Sequence, residues 1–167
     1  MIKTPKEFYL ELLKNFAFQP TSKQNKLLKM LSIFLMEEQT ESFFLLKGFA
    51  GTGKTTTIGT LVNNVWKIEM KSVLLAPTGR AAKVIANYSK KPAFTVHKKI
   101  YFPKKKTNGS VGFTLKQNKH TNTVFIVDEA SMIPDAKQNS NLFENSSILS
   151  DLIEFVYSGK NCRLIFI

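Results

Sequence analysis

The chain lacks the features that mark secreted and membrane-spanning proteins. Its 167 residues include a single cysteine, Cys162, which cannot form an internal disulfide, and this is typical of proteins kept in a reducing compartment. No apolar run approaches the length needed to cross a bilayer, and the segment from Met1 to Glu7 lacks the apolar core of a signal peptide. We therefore expect a cytoplasmic protein of one domain's length with no membrane partner.

Acidic residues are missing from the middle of the chain. None of the 12 Asp and Glu residues lies between Glu69 and Asp128, whereas 12 of the 24 Lys and Arg residues do. The net charge of +12 therefore belongs to this segment. Such asymmetry favours a polyanionic partner, most often a nucleic acid. Lysines that merely decorate solvent-exposed loops are the alternative interpretation.

What the chain does contain is a glycine-rich loop between a strand and a helix. Residues Gly48–Thr55 fit the pattern G-x-x-x-x-G-K-[ST]. The apolar run Phe43–Leu46, which predicts a buried strand, precedes the loop, and Thr56–Val62, which predicts a helix, follows it. Glycines let the backbone turn its N–H groups towards phosphate oxygens, and the helix N-terminus adds positive potential. A chance lysine in a glycine-rich turn is the alternative.

The pattern assigns a ligand to each part of this loop. Lys54 is predicted to reach the β- and γ-phosphates of ATP, and the Thr55 hydroxyl to bind Mg²⁺. The predicted nucleotide-binding residues of the loop are Gly48, Ala50, Gly51, Thr52, Gly53, Lys54, Thr55 and Thr56.

A second apolar strand ends in two carboxylates. Val124–Val127 is followed by Asp128 and Glu129, and the carboxyl ends of parallel strands are where open sheets place their ligands. Asp128 is predicted to hold Mg²⁺ through its water shell, and Glu129 to polarise the attacking water as a general base. Apolar strands also end in Asp-Glu at ordinary surface turns, so this prediction depends on the glycine-rich loop upstream.

The apolar pattern predicts an α/β fold, a parallel sheet flanked by helices. Helical spacing predicts two helices between Thr4 and Glu38, separated by Pro20, with a capping box opening the second at Thr21–Gln24. Short apolar runs at 43–46, 73–76, 124–127 and 164–167 predict strands joined by right-handed crossovers. We divide the chain into N-terminal helices at 1–40 and an ATP-binding domain at 41–167.

An inserted segment, Tyr101–Thr123, breaks the alternation of strands and helices. Its Asn108-Gly109 pair favours a type I′ turn, because both central residues of that turn need positive φ. The segment therefore predicts a basic β-hairpin that projects from the domain. A disordered basic loop is the alternative.

Four motifs, in this order along the chain, resemble those of superfamily 1 DNA helicases, specifically the RecD-like and Dda-like branch that moves 5′ to 3′. They are Gly48–Thr55, Ala76–Ala82, Thr95–His97 and Asp128–Met132. The resemblance spans roughly Thr21 to the C-terminus. It implies a P-loop NTPase fold of the RecA-like type, ATP and Mg²⁺ as cofactors, single-stranded and duplex DNA as partners, and an activity that couples ATP hydrolysis to unwinding.

The resemblance also implies roles for further residues. Gln24 stands at the family's Q motif, where the amide pairs with adenine; a purely capping role is the alternative. The residues implied in DNA binding are Pro77, Thr78, Arg80, Thr95 and His97. Thr78 is the strongest phosphate-contact candidate, with a simple helix cap as its alternative, and for His97 packing or solvation remains open.

The inserted hairpin lies where this family carries the pin that separates the duplex. Phe102 and Phe113 are expected either to stack on bases or to pack the hairpin base against the core. Ser131 is implied to couple the nucleotide and DNA sites, with a cap after the strand as the alternative.

The resemblance implies that a longer protein contains this chain. The strand Leu164–Ile167 leads into motif III in the family, and a second RecA-like domain then supplies an arginine that contributes about 10³–10⁵ in rate. We therefore expect a truncated first motor domain that hydrolyses ATP barely or not at all by itself. A stand-alone ATP- or nucleic-acid-binding module is the alternative. A small-molecule kinase is disfavoured, because the space between the two nucleotide motifs is basic and free of acids.

Overall fold

The computed structural model describes residues 2–37, 42–49, 51–105, 111–135 and 147–167. Over these residues the chain forms a five-stranded parallel sheet with helices on both faces, and a separate two-stranded antiparallel ribbon. The helices are α1 (Pro5–Lys14), α2 (Ser22–Met36), α3 (Lys54–Asn64), α4 (Gly79–Ser89), α5 (Val96–Ile100) and α6 (Ile148–Tyr157). The strands are β1 (Phe43–Leu45), β2 (Lys71–Ala76), β3 (Ala93–Thr95), β4 (Tyr101–Lys105), β5 (Val111–Leu115), β6 (Thr121–Val127) and β7 (Lys160–Phe166).

The order of strands in the sheet is β1-β7-β6-β2-β3, and every neighbouring pair is parallel. Register places Leu75 beside Val127 and Val127 beside Phe166, so the carboxyl ends of the three central strands lie level. The predicted parallel α/β architecture is confirmed. Side chains that follow these strands are thereby gathered at one edge of the sheet.

Two apolar clusters cover the two faces of the sheet, which explains why the central strands are apolar throughout rather than alternating. Along β6, Val124 and Ile126 face the cluster built by helices α1–α4, whereas Phe125 and Val127 face the cluster built by α5 and α6. The N-terminal helices therefore share their core with the sheet. Their separation as a unit at 1–40 stays a prediction.

Local capping fixes where the N-terminal helices begin. The Thr21 hydroxyl accepts the N–H of Gln24, and the Gln24 side chain accepts the N–H of Thr21. Thr4 and Glu7 make the same reciprocal pair at the start of α1. Both boxes satisfy backbone donors that a helix start leaves without partners, and the predicted box at Thr21–Gln24 is confirmed.

The expectation of a buried first strand is wrong in part. Within the part of the chain that the structure describes, β1 has a neighbouring strand on one side only, and Phe43 and Leu45 are each 50% exposed. The apolar run was informative about strand formation, but burial depends on the order of strands. An edge position leaves one side of these two residues in solvent.

The inserted segment forms a ribbon, as predicted. Strands β4 and β5 pair antiparallel from Tyr101 opposite Leu115 to Lys105 opposite Val111. The Asn108-Gly109 turn itself lies outside the described residues. Three elements, β3, α5 and α6, were not predicted. β3 and α5 are only three and five residues long, whereas α6 has apolar residues at helical spacing that would have predicted it.

Candidate functional site

One cavity of about 1130 Å³ opens at the carboxyl edge of the sheet. Lys54, Asp128 and Glu129 all line it, so the glycine-rich loop and the paired acids share one pocket. The described members of the predicted loop that line it are Gly48, Gly51, Thr52, Gly53, Lys54, Thr55 and Thr56. Ala50 lies outside the described residues. A volume of this order accommodates a nucleotide-sized ligand.

The loop curls because two of its glycines adopt left-handed conformations. Gly51 has φ +76° and Gly53 has φ +82°, a region that costs other L-residues about 1–2 kcal/mol. A Cβ on Gly53 would lie 2.2 Å from the side-chain nitrogen of Gln24, whereas no atom of the described residues lies within 4 Å of the position that a Cβ on Gly51 would take. The loop is therefore closed on its Gln24 side and open beside Gly51.

Lys54 is held inside the loop. Its Nζ donates to the backbone oxygens of Gly48 at 2.5 Å and Phe49 at 2.9 Å. Contact of Lys54 with phosphates stays a prediction. Because an ammonium has three donors, these two bonds leave one for an anion in the cavity. Lys54 thus both braces the loop and brings positive charge to it.

Gln24 contacts the same loop. In addition to its capping bonds, its Nε2 donates to the backbone oxygen of Thr52 at 3.3 Å. The capping interpretation is therefore confirmed and extended, since the side chain also ties the start of α2 to the phosphate-binding loop. Pairing of Gln24 with adenine stays a prediction.

Both oxygens of the Asp128 carboxylate have protein donors. Oδ1 accepts the backbone N–H of Glu129 at 3.1 Å, and Oδ2 accepts the Tyr88 hydroxyl at 2.9 Å. Burial, and then the negative charge of Asp128, raise the pKa of Tyr88, so the phenol keeps its proton and remains the donor. Tyr88 also lines the cavity, and nothing in its sequence context had singled it out.

The acids are less buried than the sequence suggested. Asp128 is half-buried and Glu129 is exposed. Glu129 has φ +55°, in the left-handed region that non-glycine residues rarely adopt. Such conformations cluster at functional sites. Ser131 lies inside a 3₁₀ turn, Ala130–Met132, and does not cap it; the residue in the cap position is Glu129.

The donor set fits the cofactors that a phosphate-binding loop implies. The Thr55 hydroxyl and the Asp128 carboxylate are hard oxygen ligands of the kind that Mg²⁺ prefers, and both line the cavity with Lys54. The open space beside Gly51 leaves the turn of the loop accessible to a phosphate group. These residues could hold a magnesium–nucleotide complex.

The residues implied in DNA binding follow the next strands along the same edge. Ala76 of β2 lies beside Thr95 of β3. Exposed Thr78 caps α4 by accepting the N–H of Ala81 at 3.2 Å, and Thr95 caps α5 by accepting that of Lys98 at 3.2 Å. The alternative that Thr78 caps a helix is thus confirmed, and Thr78 remains exposed to solvent.

The other implied contact residues lie around these caps. Arg80 and His97 are exposed and Pro77 is half-buried. The ring centre of His97 is 5.9 Å from that of Tyr101 at the hairpin base. The predicted DNA-binding residues therefore follow two adjacent strands of the sheet, and their contact with DNA stays a prediction.

The base of the ribbon is anchored by a side chain that the sequence did not single out. Tyr101 is only 5% exposed, and its hydroxyl donates to Oδ2 of Asp151 on α6 at 2.5 Å. Phe102 and Phe113 are 40% and 38% exposed. Tyr101, rather than either phenylalanine, fills the core position at the hairpin base.

Comparison with known families agrees with this geometry. A protein family described as an AAA domain matches residues 33–154 of the chain. The chain therefore belongs to this family, a P-loop NTPase-like group that includes helicase-like proteins. It is an ATP-binding P-loop module of α/β architecture. Among the described residues, no helix is long and apolar enough to span a membrane.

Proposed function

We propose that this chain is the first motor domain of an ATP-dependent 5′–3′ DNA helicase of the RecD-like and Dda-like branch. One observation carries the proposal. The nucleotide cavity and the ends of β2 and β3, which belong to the basic segment without acidic residues, lie at a single edge of one sheet. A change at the cavity can therefore reach the nucleic-acid surface through directly packed elements.

In the nucleotide site, each residue has a distinct task. Lys54 stabilises negative charge on the β- and γ-phosphates, and backbone N–H groups of the loop bind the remaining phosphate oxygens. Thr55 and Asp128 would hold Mg²⁺, which would supply positive charge to the phosphates. Glu129, exposed beside the cavity, orients and deprotonates the attacking water.

On the nucleic-acid side, hydroxyl and cationic groups bind the phosphate backbone. Thr78 and Thr95 contribute hydroxyls at adjacent strand ends, and Arg80 and His97 lie beside them. Such contacts position a strand without reading its sequence. The ribbon β4–β5 serves as the pin that parts the duplex, with Phe102 and Phe113 exposed enough for bases to stack on them.

Nucleotide binding is tested with a fluorescent, slowly hydrolysed ATP analogue. Lys54→Ala should abolish binding, because it removes the charge closest to the phosphates, while circular dichroism and melting temperature stay close to those of the parent. Lys47→Ala is the matched control, since Lys47 also lines the cavity but lies before the loop. Unchanged binding by Lys54→Ala would contradict the proposal.

Nucleic-acid binding is tested through its salt dependence. The affinity for single-stranded DNA should fall with a slope near 0.7 in log–log form for each neutralised phosphate. Arg80→Gln should reduce that slope by about 0.7, whereas Lys29→Gln, which removes the same charge from exposed Lys29 on α2, should not. If the DNA affinity of the parent did not change with salt concentration, the assignment of this surface to nucleic-acid binding would be contradicted.

Translocation requires a second RecA-like domain that closes on the nucleotide, and we propose that the full-length protein carries one. The reading frame should then continue with a Gly-Asp-x-x-Gln motif and, later, an arginine-bearing motif. If no such motifs exist downstream, the chain acts as an ATP- and nucleic-acid-binding module without motor activity.

A further inference from the structure

Tyr88 lines the nucleotide cavity although it belongs to none of the four motifs. It lies near the end of α4, and its hydroxyl donates to Asp128, which follows it by forty residues in the chain. Long side chains on helices point back towards the helix start. This direction brings the phenol to the carboxyl edge of the sheet.

Helix α4, which carries Tyr88, packs against the core of the sheet. Ala82 and Ile85, on the inner face of α4, are 7% and 0% exposed in the core of the sheet, and Ser89 is fully buried with its hydroxyl bonded to the backbone oxygen of Ile85 at 2.6 Å. The phenol ring is itself half-buried and packed against that core. Its hydroxyl is therefore presented from a rigid support.

The hydrogen bond from Tyr88 decides how freely the Asp128 carboxylate can turn. The bond from the Glu129 N–H to Oδ1 holds only one of the two oxygens. This bond by itself still permits the carboxylate to rotate about the Cβ–Cγ bond of Asp128. The bond from Tyr88 to Oδ2 holds the second oxygen, so the plane of the carboxylate is set by two donors on different elements. Each oxygen keeps a lone pair beyond these bonds for a further partner.

We propose that Tyr88 is a positioning residue for Asp128, holding its carboxylate in the orientation that binds Mg²⁺ together with Thr55. This inference rests on the proposed nucleotide function. Mg²⁺ keeps several waters in a nearly octahedral shell, so a carboxylate that can rotate holds this shell less well. Partners that orient metal ligands typically contribute a factor of 10–100 in metal affinity.

The competing explanation is that Tyr88 only fills space between α4 and the sheet. Tyr88→Phe separates the two, because it keeps the ring and removes the hydroxyl. Tyr101→Phe is the matched control: it also removes a phenol that donates to an aspartate, but Asp151 does not line the nucleotide cavity.

The experiment measures the affinity for the fluorescent ATP analogue twice for each variant, at saturating Mg²⁺ and in excess EDTA. The ratio of the two affinities reports the coupling between metal and nucleotide. Tyr88→Phe should lower this ratio about 10-fold and leave the affinity in EDTA unchanged. Tyr101→Phe should keep the parent's ratio, and Asp128→Asn should bring it close to one.

The outcomes distinguish this inference from the function on which it rests. If the parent binds no nucleotide, the proposed function fails and the inference with it. If the parent shows metal coupling and Tyr88→Phe keeps the same ratio, or raises it, the inference alone is overturned. An equal loss of affinity with and without Mg²⁺ would show that Tyr88 shapes the pocket, and would overturn it as well.

Discussion

The carboxyl edge of the sheet has two halves, the nucleotide cavity and the base of the hairpin, and in each half a tyrosine hydroxyl donates to an aspartate. In the nucleotide half, Tyr88 donates to Asp128 at a cavity wall; in the hairpin half, Tyr101 donates to Asp151 beneath the ribbon. Asp128 is half-buried beside a cavity that can admit a cation, whereas Asp151 is 8% exposed. The two bonds thus differ in burial, since the first lies at a cavity wall and the second joins two elements in the core.

The halves also differ in how closely the sequence specifies them. The nucleotide half depends on eight consecutive residues, Gly48–Thr55, whose backbone conformation is exacting. The hairpin half carries charge spread over many lysines, so under the proposed function no single lysine should be indispensable for nucleic-acid binding. We therefore expect single substitutions to cause a large loss of nucleotide affinity in the first half and small losses of nucleic-acid affinity in the second.

The largest effect should come from the phosphate-binding loop. Gly53→Ala forces a residue with a side chain to φ +82° and places its Cβ 2.2 Å from the Gln24 amide, so nucleotide affinity should fall at least about 10-fold, the equivalent of about 1.4 kcal/mol. The fluorescent analogue measures it.

The matched control for that variant lies in the helix that follows the loop. A Cβ on Gly59 would meet nothing within 4 Å, and alanine favours a helix interior over glycine by about 0.5–1 kcal/mol. Gly59→Ala should therefore raise the melting temperature and keep nucleotide affinity. Equal affinities for the two variants would mean that the loop is not held as the structure has it.

An intermediate effect is expected at the hairpin base. Tyr101→Phe removes a hydrogen bond to the buried Asp151 carboxylate, which should cost about 1–3 kcal/mol in the free energy of unfolding. Thermal melting should show it as a drop of roughly 2–10 °C. If Tyr101→Phe lowered the nucleotide affinity without lowering the melting temperature, the proposed difference in role between Tyr88 and Tyr101 would be contradicted.

The smallest effect should come from an ion pair remote from both halves. Glu11 accepts Lys67 at 2.5 Å, and this bond, followed by one from Asn15, holds the pKa of Glu11 below its ordinary value of 4.5. A depressed carboxyl pKa stabilises the fold above the unfolded value, and the contribution is lost as pH falls through the folded value.

Lys67→Gln should therefore lower the melting temperature slightly at pH 7 and leave it unchanged well below pH 4.5. The pair is partly exposed to solvent, and screening keeps its contribution small. An equal loss at both pH values would show that Lys67 acts through packing against Trp66, over which its ammonium lies at 5.6 Å.

Prediction from the sequence succeeded where the signal is local. The capping box at Thr21 and the strand before Asp128 were both readable, because each depends on residues within one turn or one strand. The exposure of Phe43 and the contact between Tyr88 and Asp128 were not, because both depend on which strands and helices become neighbours.

By itself the sequence determined the parallel α/β class, the glycine-rich loop and the pair of acids, since spacing along the chain is enough to specify each. Only the tertiary structure decided that β1 lies at an edge, that Gln24 touches the loop, and that a tyrosine from α4 holds the carboxylate of Asp128. These are contacts between residues far apart in the chain. They follow from the order of strands and the packing of helices, which no short stretch of sequence encodes.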